Sequence, residues 1–489
     1  MNYNNSNTAQ SVWLGIGSLL SFSFGIVSAA ILSRYLSKLE YGTYKQVLYV
    51  YNTLLIVFSL GLPKAYSYFL ARASIEEGRS IIRKINGLLV LVGIFFAIVL
   101  YCTSALFADL LNSPGLKECL RIFSLTPLFL LPILGIESIM VTYKKAYLYT
   151  AYTIFSRSFT LLCVLVPVIW FDASVHAAVG GFVFSSLLCC LSALYLQRHL
   201  FRNIQKTATP IKISEILRFS LPLSIAGFWG TVIQSANQFF ISRYWGNEVF
   251  AEFSNGFIEL PFANIIISVA ATVLLPVFSK KIYDNSSPSS IIDLWKSVAI
   301  KSAKIIFPLT VFSFFFAEQI MVFVYGKQYE ESAVYFRIIA VVNIVRIVPY
   351  APVMLALGKT KEFARIHMLT AAMIVVMEYM CVKLIPSPSI IACISVLCTI
   401  FCLGLLLRYI CKYMNLSVME LIPDRSMIML LALSLAASVL SKALSLFLPD
   451  VSVMHILIIS FTIFAVVYLC LCKYVGISYT YILNYPIRK

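Results

Sequence analysis

Eight ionisable side chains lie inside stretches that are otherwise apolar: Lys64, Glu137, Arg157, Glu259, Glu318, Arg337, Arg346 and Glu378. A charge in such a run costs about 2.5–3.5 kcal/mol on membrane-insertion scales, so each needs a partner, a wet cavity or a route to an interface. Arg346 is the sharpest case. It falls about midway along an apolar run over 334–357, three residues after Asn343 and three before Pro349. Two readings stay open for it: an ion pair with Glu259 or Glu378, or a cation that binds an anion in a cavity. The planar fork of an arginine meets two oxygens of an anion at once and stays charged when buried. Arg34, Arg243 and Lys64 follow as rim cations at or towards the ends of their own runs. Glu259, ahead of Leu260-Pro261, joins a carboxylate to an expected helix kink, and Glu259 and Glu378 are the candidates for carrying a proton or sodium ion. Glu137, shortly before Lys144-Lys145, and Arg337 are accounted for by pairing or snorkelling.

A second constellation is uncharged. Gln234, Asn237, Gln238 and Ile241 recur at i, i+3, i+4 and i+7. Three amides on one helical face form either the polar wall of a cavity, together with Asn343, or a seam of interhelical hydrogen bonds. Pro222 and Gly227-x-x-Gly230 give the same stretch a place to bend, as alternating access requires. No catalytic constellation stands beside these. The chain has no GxxxxGK[ST] phosphate loop, no HExxH and no GxGxxG after a strand. Its twelve Cys show no zinc spacing and no CxxC, and most lie inside apolar runs, where Cys acts as a small hydrophobe. The reading is a transporter, not an enzyme, with no metal and no cofactor beyond a coupling ion.

The elements that must position these groups are long and apolar. The 489 residues are 60% hydrophobic and 12% charged, with mean hydropathy +0.90. A soluble domain carries about 25% charged residues. Continuous runs of about 20 apolar residues exclude a β-barrel and predict an all-α polytopic membrane protein. Helices are expected at 11–32, 47–70, 86–108, 119–142, 151–171 and 177–197, then at 214–242, 250–278, 303–325 and 334–357. Four more are expected at 365–384, 389–410, 427–448 and 453–472, about fourteen in all. Residues 1–10 are polar and expected to fray. The net charge of +17 reads as orientation and not as nucleic-acid binding. Lys and Arg concentrate in the loops after even-numbered spans, which places both termini in the cytoplasm. The exception is the first loop, with Arg34, Lys38 and Lys45 on the outer side.

An internal echo marks that exception. Ile31-Leu32-Ser33-Arg34-Tyr35 ends the first apolar run, and Phe240-Ile241-Ser242-Arg243-Tyr244 ends another 209 residues later. At the same offset Tyr41-Gly42 falls on Phe250-Ala251, and Tyr44 on Phe253. Repeated hydrophobic halves are a common construction of secondary transporters. The expected organisation is an N-terminal lobe over 1–197 with six spans and a cytoplasmic linker over 198–213. A C-terminal lobe over 214–410 and a two-helix tail over 411–489 complete it.

The segment Leu32-Ser33-Arg34-Tyr35-Leu36-x-x-x-Glu40-Tyr41-Gly42-x-Tyr44 resembles the first-loop pattern of the lipid-linked oligosaccharide flippases of bacterial polysaccharide synthesis. Gly61-Leu62-Pro63-Lys64-Ala65-Tyr66 through Ala71-Arg72 is similar to that family's second-span end. Ala356-Leu357-Gly358-Lys359-Thr360-Lys361 is similar to its tenth. The superfamily also holds the multidrug and toxic-compound exporters and the lipid II flippases. The resemblance implies a V-shaped, cation-lined cavity between two lobes in a bacterial inner membrane. Its implied cargo is a polyprenyl-diphosphate-linked oligosaccharide, for O-antigen, capsule or exopolysaccharide. Membrane lipids and other polysaccharide-assembly proteins are the remaining implied partners. A multidrug exporter would have twelve spans and an anionic or neutral cavity, whereas no acidic residue precedes Glu40 here. A lipid II flippase is a further alternative. A polysaccharide polymerase would need a large outer loop or acidic catalytic residues at the interface, and the sequence shows neither.

Overall fold

The structure is a computed structural model that describes residues 7–171, 174–202, 207, 209–284, 287–414, 417, 425–447, 451–477 and 479. Residues 1–6 of the polar start, 203–206 and 208 of the linker, and Ser286 lie outside this set, as do parts of the 411–489 tail. The described residues are helical without a strand. They form two compact units, Met1–Ser254 with Glu378–Pro388, and Asn255–Met377 with Ser389–Lys489.

The first unit opens with α1 (Asn7–Tyr35), α2 (Lys38–Phe58), α3 (Leu62–Leu70) and α4 (Ile75–Cys102). Short helices α5 (Ser104–Leu110), α6 (Leu116–Phe123), α7 (Thr126–Leu130) and α8 (Ile136–Thr142) follow. Then come α9 (Ala146–Trp170), α10 (Val175–Leu200) and α11 (Ile213–Gly256). The second unit takes α12 (Pro261–Tyr283), α13 (Pro288–Phe315), α14 (Ala317–Tyr325), α15 (Ser332–Val345) and α16 (Ala351–Ala356). Helix α17 (Thr360–Leu384) is shared, its residues from Glu378 belonging to the first unit. Last come α18 (Pro388–Met414), α19 (Arg425–Ser445) and α20 (Val453–Tyr474).

Helix α4 shows the environment these elements are built for. Leu91, Phe95 and Ile98 are more than half exposed, while Leu89, Phe96 and Leu100 on the same helix are completely buried. A helix apolar on its exposed face as well as its packed face is solvated by lipid, not water. Among the described residues eleven helical stretches are long and apolar enough to cross a membrane, Leu116–Thr142 counted as one, or twelve if the bent pair α2 and α3 is one span. Shorter apolar helices at Pro261–Ala271 and Ser332–Val345 lie where two more spans are expected.

Several of the expected boundaries need correction, each with a local cause. Arg34, Lys38 and Lys45 are not in a loop. Ser37 caps α2 through a reciprocal box with Glu40, so the helix begins nine residues ahead of the expected span and carries Lys38 and Lys45 on it. The expected helix over 119–142 is broken into pieces at Pro127, Pro132 and Gly135, because proline removes a backbone donor and clashes with the preceding turn. The run over 250–278 is interrupted between Gly256 and Pro261. The run over 334–357 is likewise two helices, α15 and α16, so Arg346 sits at a break and not in mid-helix.

Within the first unit one core cluster gathers Leu62, Tyr66, Ile81, Ile85 and Ile139, all fully buried, from α3, α4 and α8. In the second, Phe312, Phe316, Ala437, Phe464 and Tyr468 pack together, so the two-helix tail shares a core with α13.

Candidate functional site

The two copies of the repeated motif occupy equivalent burial positions. Leu32 and Ile241 are fully buried, as are Ser33 and Ser242, and so are Tyr41 and its counterpart Phe250. Each copy closes a helical segment. Helix α1 ends at Tyr35, and α11 breaks at Gly246, whose φ of 77° and ψ of −170° only glycine adopts readily.

Beside the motif lies a network of buried polar side chains that the sequence did not single out. Asn247 donates from Nδ2 to Thr43 Oγ1 at 2.8 Å and to Ser113 Oγ at 2.9 Å. Its Oδ1 accepts from Gln46 Nε2 at 3.1 Å, and the same Gln46 amide donates to Ser242 Oγ at 2.7 Å. Lys38 Nζ meets Glu252 Oε1 at 2.6 Å alongside. The backbones come close enough here that a Cβ on Gly42 would lie 2.1 Å from the Asn247 carbonyl oxygen. The available signal was two amides, Gln46 and Asn247, each a few residues beyond a motif copy.

The rim cations fare differently. Arg243 Nη1 donates to the carbonyls of Leu110 at 2.7 Å and Asp109 at 3.2 Å, at the C-terminal end of α5. Arg34 Nη1 reaches the Ala30 carbonyl one turn back at 3.4 Å. Lys64 is exposed near the start of α3. The amide stripe is not uniformly wet: Gln234 is exposed, Gln238 half-buried and Asn237 buried. Asn343 is buried and turns back to the Ala340 carbonyl. Glu378 is completely buried, within electrostatic reach of Tyr49.

Four of the eight in-span charges form two ion pairs in the second unit. Arg337 Nη2 meets Glu318 Oε1 at 2.7 Å. Arg346 Nη1 meets both carboxylate oxygens of Glu259, at 2.8 and 3.0 Å. Both members of the second pair keep about a third of their side-chain surface, 35% and 33%. Their positions matter as much as their charges. Glu259 lies in the interruption between α11 and α12, and Arg346 in that between α15 and α16, so the pair ties two helix breaks together. Of the remaining four, Glu137 accepts from the Tyr149 hydroxyl at 3.0 Å.

The sequence matches the family described as polysaccharide biosynthesis protein over residues 8–281. The chain belongs to that family. No curated protein matches it. Among solved structures, the lipid II flippase MurJ in an inward closed conformation is similar at 14% identity and TM-score 0.70, covering 96% of this chain and 98% of its own. A multidrug resistance MATE family transporter of the MOP superfamily, inward-facing, is similar at 13% identity and TM-score 0.64, covering 81% of this chain and 98% of its own. A MOP superfamily transporter from Pyrococcus furiosus, described by the reverse polarity of its binding pocket, gives 14% identity and TM-score 0.58 over 83% of this chain and 96% of its own. The family member described here therefore has the fold of a multi-pass membrane transporter.

Two measurements test this geometry. Gly42→Ala overpacks the contact with the Asn247 backbone and is expected to remove about 1–3 kcal/mol of stability. A lowered thermal unfolding midpoint in detergent checks it, and an unchanged midpoint would mean the two backbones are not in contact. For the ion pair, Arg346→Ala leaves a partly buried carboxylate alone and is expected to cost about 1–3 kcal/mol, between the exposed and fully buried cases. The double variant with Glu259→Gln should then cost less than the sum of the two single changes. Strict additivity would show that the pair is not formed.

Proposed function

We propose that this family member is a flippase that carries a polyprenyl-diphosphate-linked oligosaccharide across the bacterial inner membrane by alternating access, with both termini in the cytoplasm. The observation that carries this reading is the match to the polysaccharide biosynthesis family over residues 8–281. The extent of the structural likenesses supports it. The lipid II flippase covers 96% of the chain, whereas the multidrug transporter covers 81%, so only the former accounts for nearly the whole length. The charge balance agrees, since the first carboxylate of the chain is Glu40 and the net charge is +17.

The mechanism follows from the charge of the cargo. A diphosphate brings about two negative charges into a region of low dielectric, where Coulomb terms are several-fold stronger than in water. Arg346 is the residue we assign to meet it. Among the described residues its guanidinium bonds Glu259 through Nη1, and no further hydrogen bond of Nε or Nη2 is found. Exchange of Glu259 for a phosphate would keep the arginine neutralised throughout. The released carboxylate would then be free to take up a proton or sodium ion, which gives coupling without an ATP site. Arg34, Arg243 and Lys64 are the rim cations of this proposal, Gln234, Asn237, Gln238 and Asn343 its polar lining, and Glu378 a second candidate for the coupling ion. The Gln46–Asn247 network is the closure that would part when the cargo leaves on the far side.

Purified protein in vesicles should translocate the oligosaccharide headgroup of a polyprenyl-diphosphate sugar, read by protection of the headgroup from an external glycosidase. Arg346→Ala and the double variant with Glu259→Gln should both lose at least tenfold in rate, and Arg346→Lys should retain part of it. Transport of lipid II or of cationic drugs in its place would assign the chain to one of the two alternative cargo classes. Orientation is checked separately on a background without the twelve native cysteines. A membrane-impermeant maleimide should label Asn112→Cys in intact cells and leave Glu76→Cys unlabelled; the opposite pattern would invert the topology.

A further inference from the structure

Two of the in-membrane cations lie in a place the ion pairs do not explain. A cavity of about 170 Å³ lies among α1, α2, α9 and α10 in the first unit, and both Lys45 and Arg157 line it. That volume is several times what one water needs. Helix α1 presents the small residues Gly25, Ser28 and Ala29 to it, beside Phe24 and Leu32. No Asp or Glu lines the cavity. Among the described residues neither Lys45 nor Arg157 forms an ion pair, although Lys38, Arg337 and Arg346 each do. Lys45 Nζ stands 5.3 Å above the ring of Tyr41, a partial compensation, and among the described residues no hydrogen bond of its ammonium is found.

Two cations line one largely apolar space with no carboxylate in its walls, and a low dielectric strengthens the attraction of such a space for an anion. The donor set favours a particular class: a planar guanidinium fork takes two oxygens of a tetrahedral oxyanion, an ammonium takes a third, and the hydroxyls of Ser28 and Thr160 line the same space. We propose that this cavity is a binding site for a phosphate-type oxyanion, held by Lys45 and Arg157, separate from the Arg346–Glu259 pair. Arg157 is exposed and Lys45 half-buried, so the occupant can exchange. The same chemistry is offered by free phosphate and by the phosphate of an anionic lipid headgroup. The site is independent of which cargo the chain carries.

The test uses the full chain in a neutral detergent, with inorganic phosphate titrated against potassium gluconate at constant ionic strength. The unfolding midpoint of the unaltered protein should rise with phosphate and saturate, as binding to the native state alone requires. Lys45→Met and Arg157→Gln should abolish the rise, and Lys117→Met, an exposed cation outside the cavity, should retain it. Ser28→Leu fills the space without removing a charge, so it decides the matter if the charge variants fail to fold: it too should lose the phosphate response. In nanodiscs, competition of phosphatidylglycerol against radiolabelled phosphate identifies the headgroup as the occupant, and its failure to compete identifies free phosphate. Absence of any phosphate response, or a response that survives Ser28→Leu and both charge variants, overturns the proposal.

Discussion

A buried amide must find partners for both of its donors and its acceptor, and the first unit is arranged so that Asn247 does. Its two Nδ2 hydrogens go to Thr43 and Ser113 and its oxygen to Gln46, from two separate segments of the chain. In a lipid-solvated protein such a network cannot fall back on water, so losing one member strands the rest. That requirement fixes other choices. Position 42 must be glycine because the Asn247 carbonyl occupies the place of its side chain, and α2 must start at the Ser37 cap to bring Thr43 and Gln46 onto the facing turn. Ser242 of the second motif copy joins the same arrangement, since its Oγ accepts from Gln46.

The second constraint concerns interrupted helices. Backbone groups freed at a break inside a membrane protein need cover from protein or from a polar cavity. The breaks here carry the residues with chemistry to offer. Lys64 follows the bend at Leu60-Gly61, Arg243 precedes Gly246, Glu259 lies before Pro261, and Arg346 opens the gap before α16. An ion pair between two breaks holds segments that no continuous helix constrains. It also makes their relative position depend on charge, which is the property a transporter needs from a moving part.

Most of the fold was legible because lipid-exposed helices are apolar on every side, and a run of about 20 such residues matches the thickness of a bilayer's hydrocarbon core. What escaped was of two kinds. Helices that begin outside the apolar run were cut short: α2 at Lys38 and α13 at Pro288 start on polar residues that hydropathy assigns to loops. Partners across the fold were beyond reach of spacing. Arg346 had Glu259 as one of two named partners, and only the tertiary arrangement selects it. Arg337 and Glu318 are 19 residues apart on separate helices, so no helical periodicity links them. Gln46 and Asn247 passed unnoticed because single amides beside an apolar run carry no signal until their hydrogen-bond partners are known.

The cations of this chain divide by what neutralises them. Arg346, Arg337 and Lys38 have a carboxylate supplied by the protein itself. Arg243 has carbonyl dipoles at a helix end. These groups are satisfied before any ligand arrives, so an anion binds them only by displacing what is there, and the displaced group becomes available for a second event. Among the described residues Lys45 and Arg157 have no carboxylate to displace. An anion adds to them directly, and nothing is released on its arrival. Exchange suits a site that must let its cargo go on the opposite side, because the internal carboxylate returns as the cargo leaves. Addition suits a site whose occupant stays.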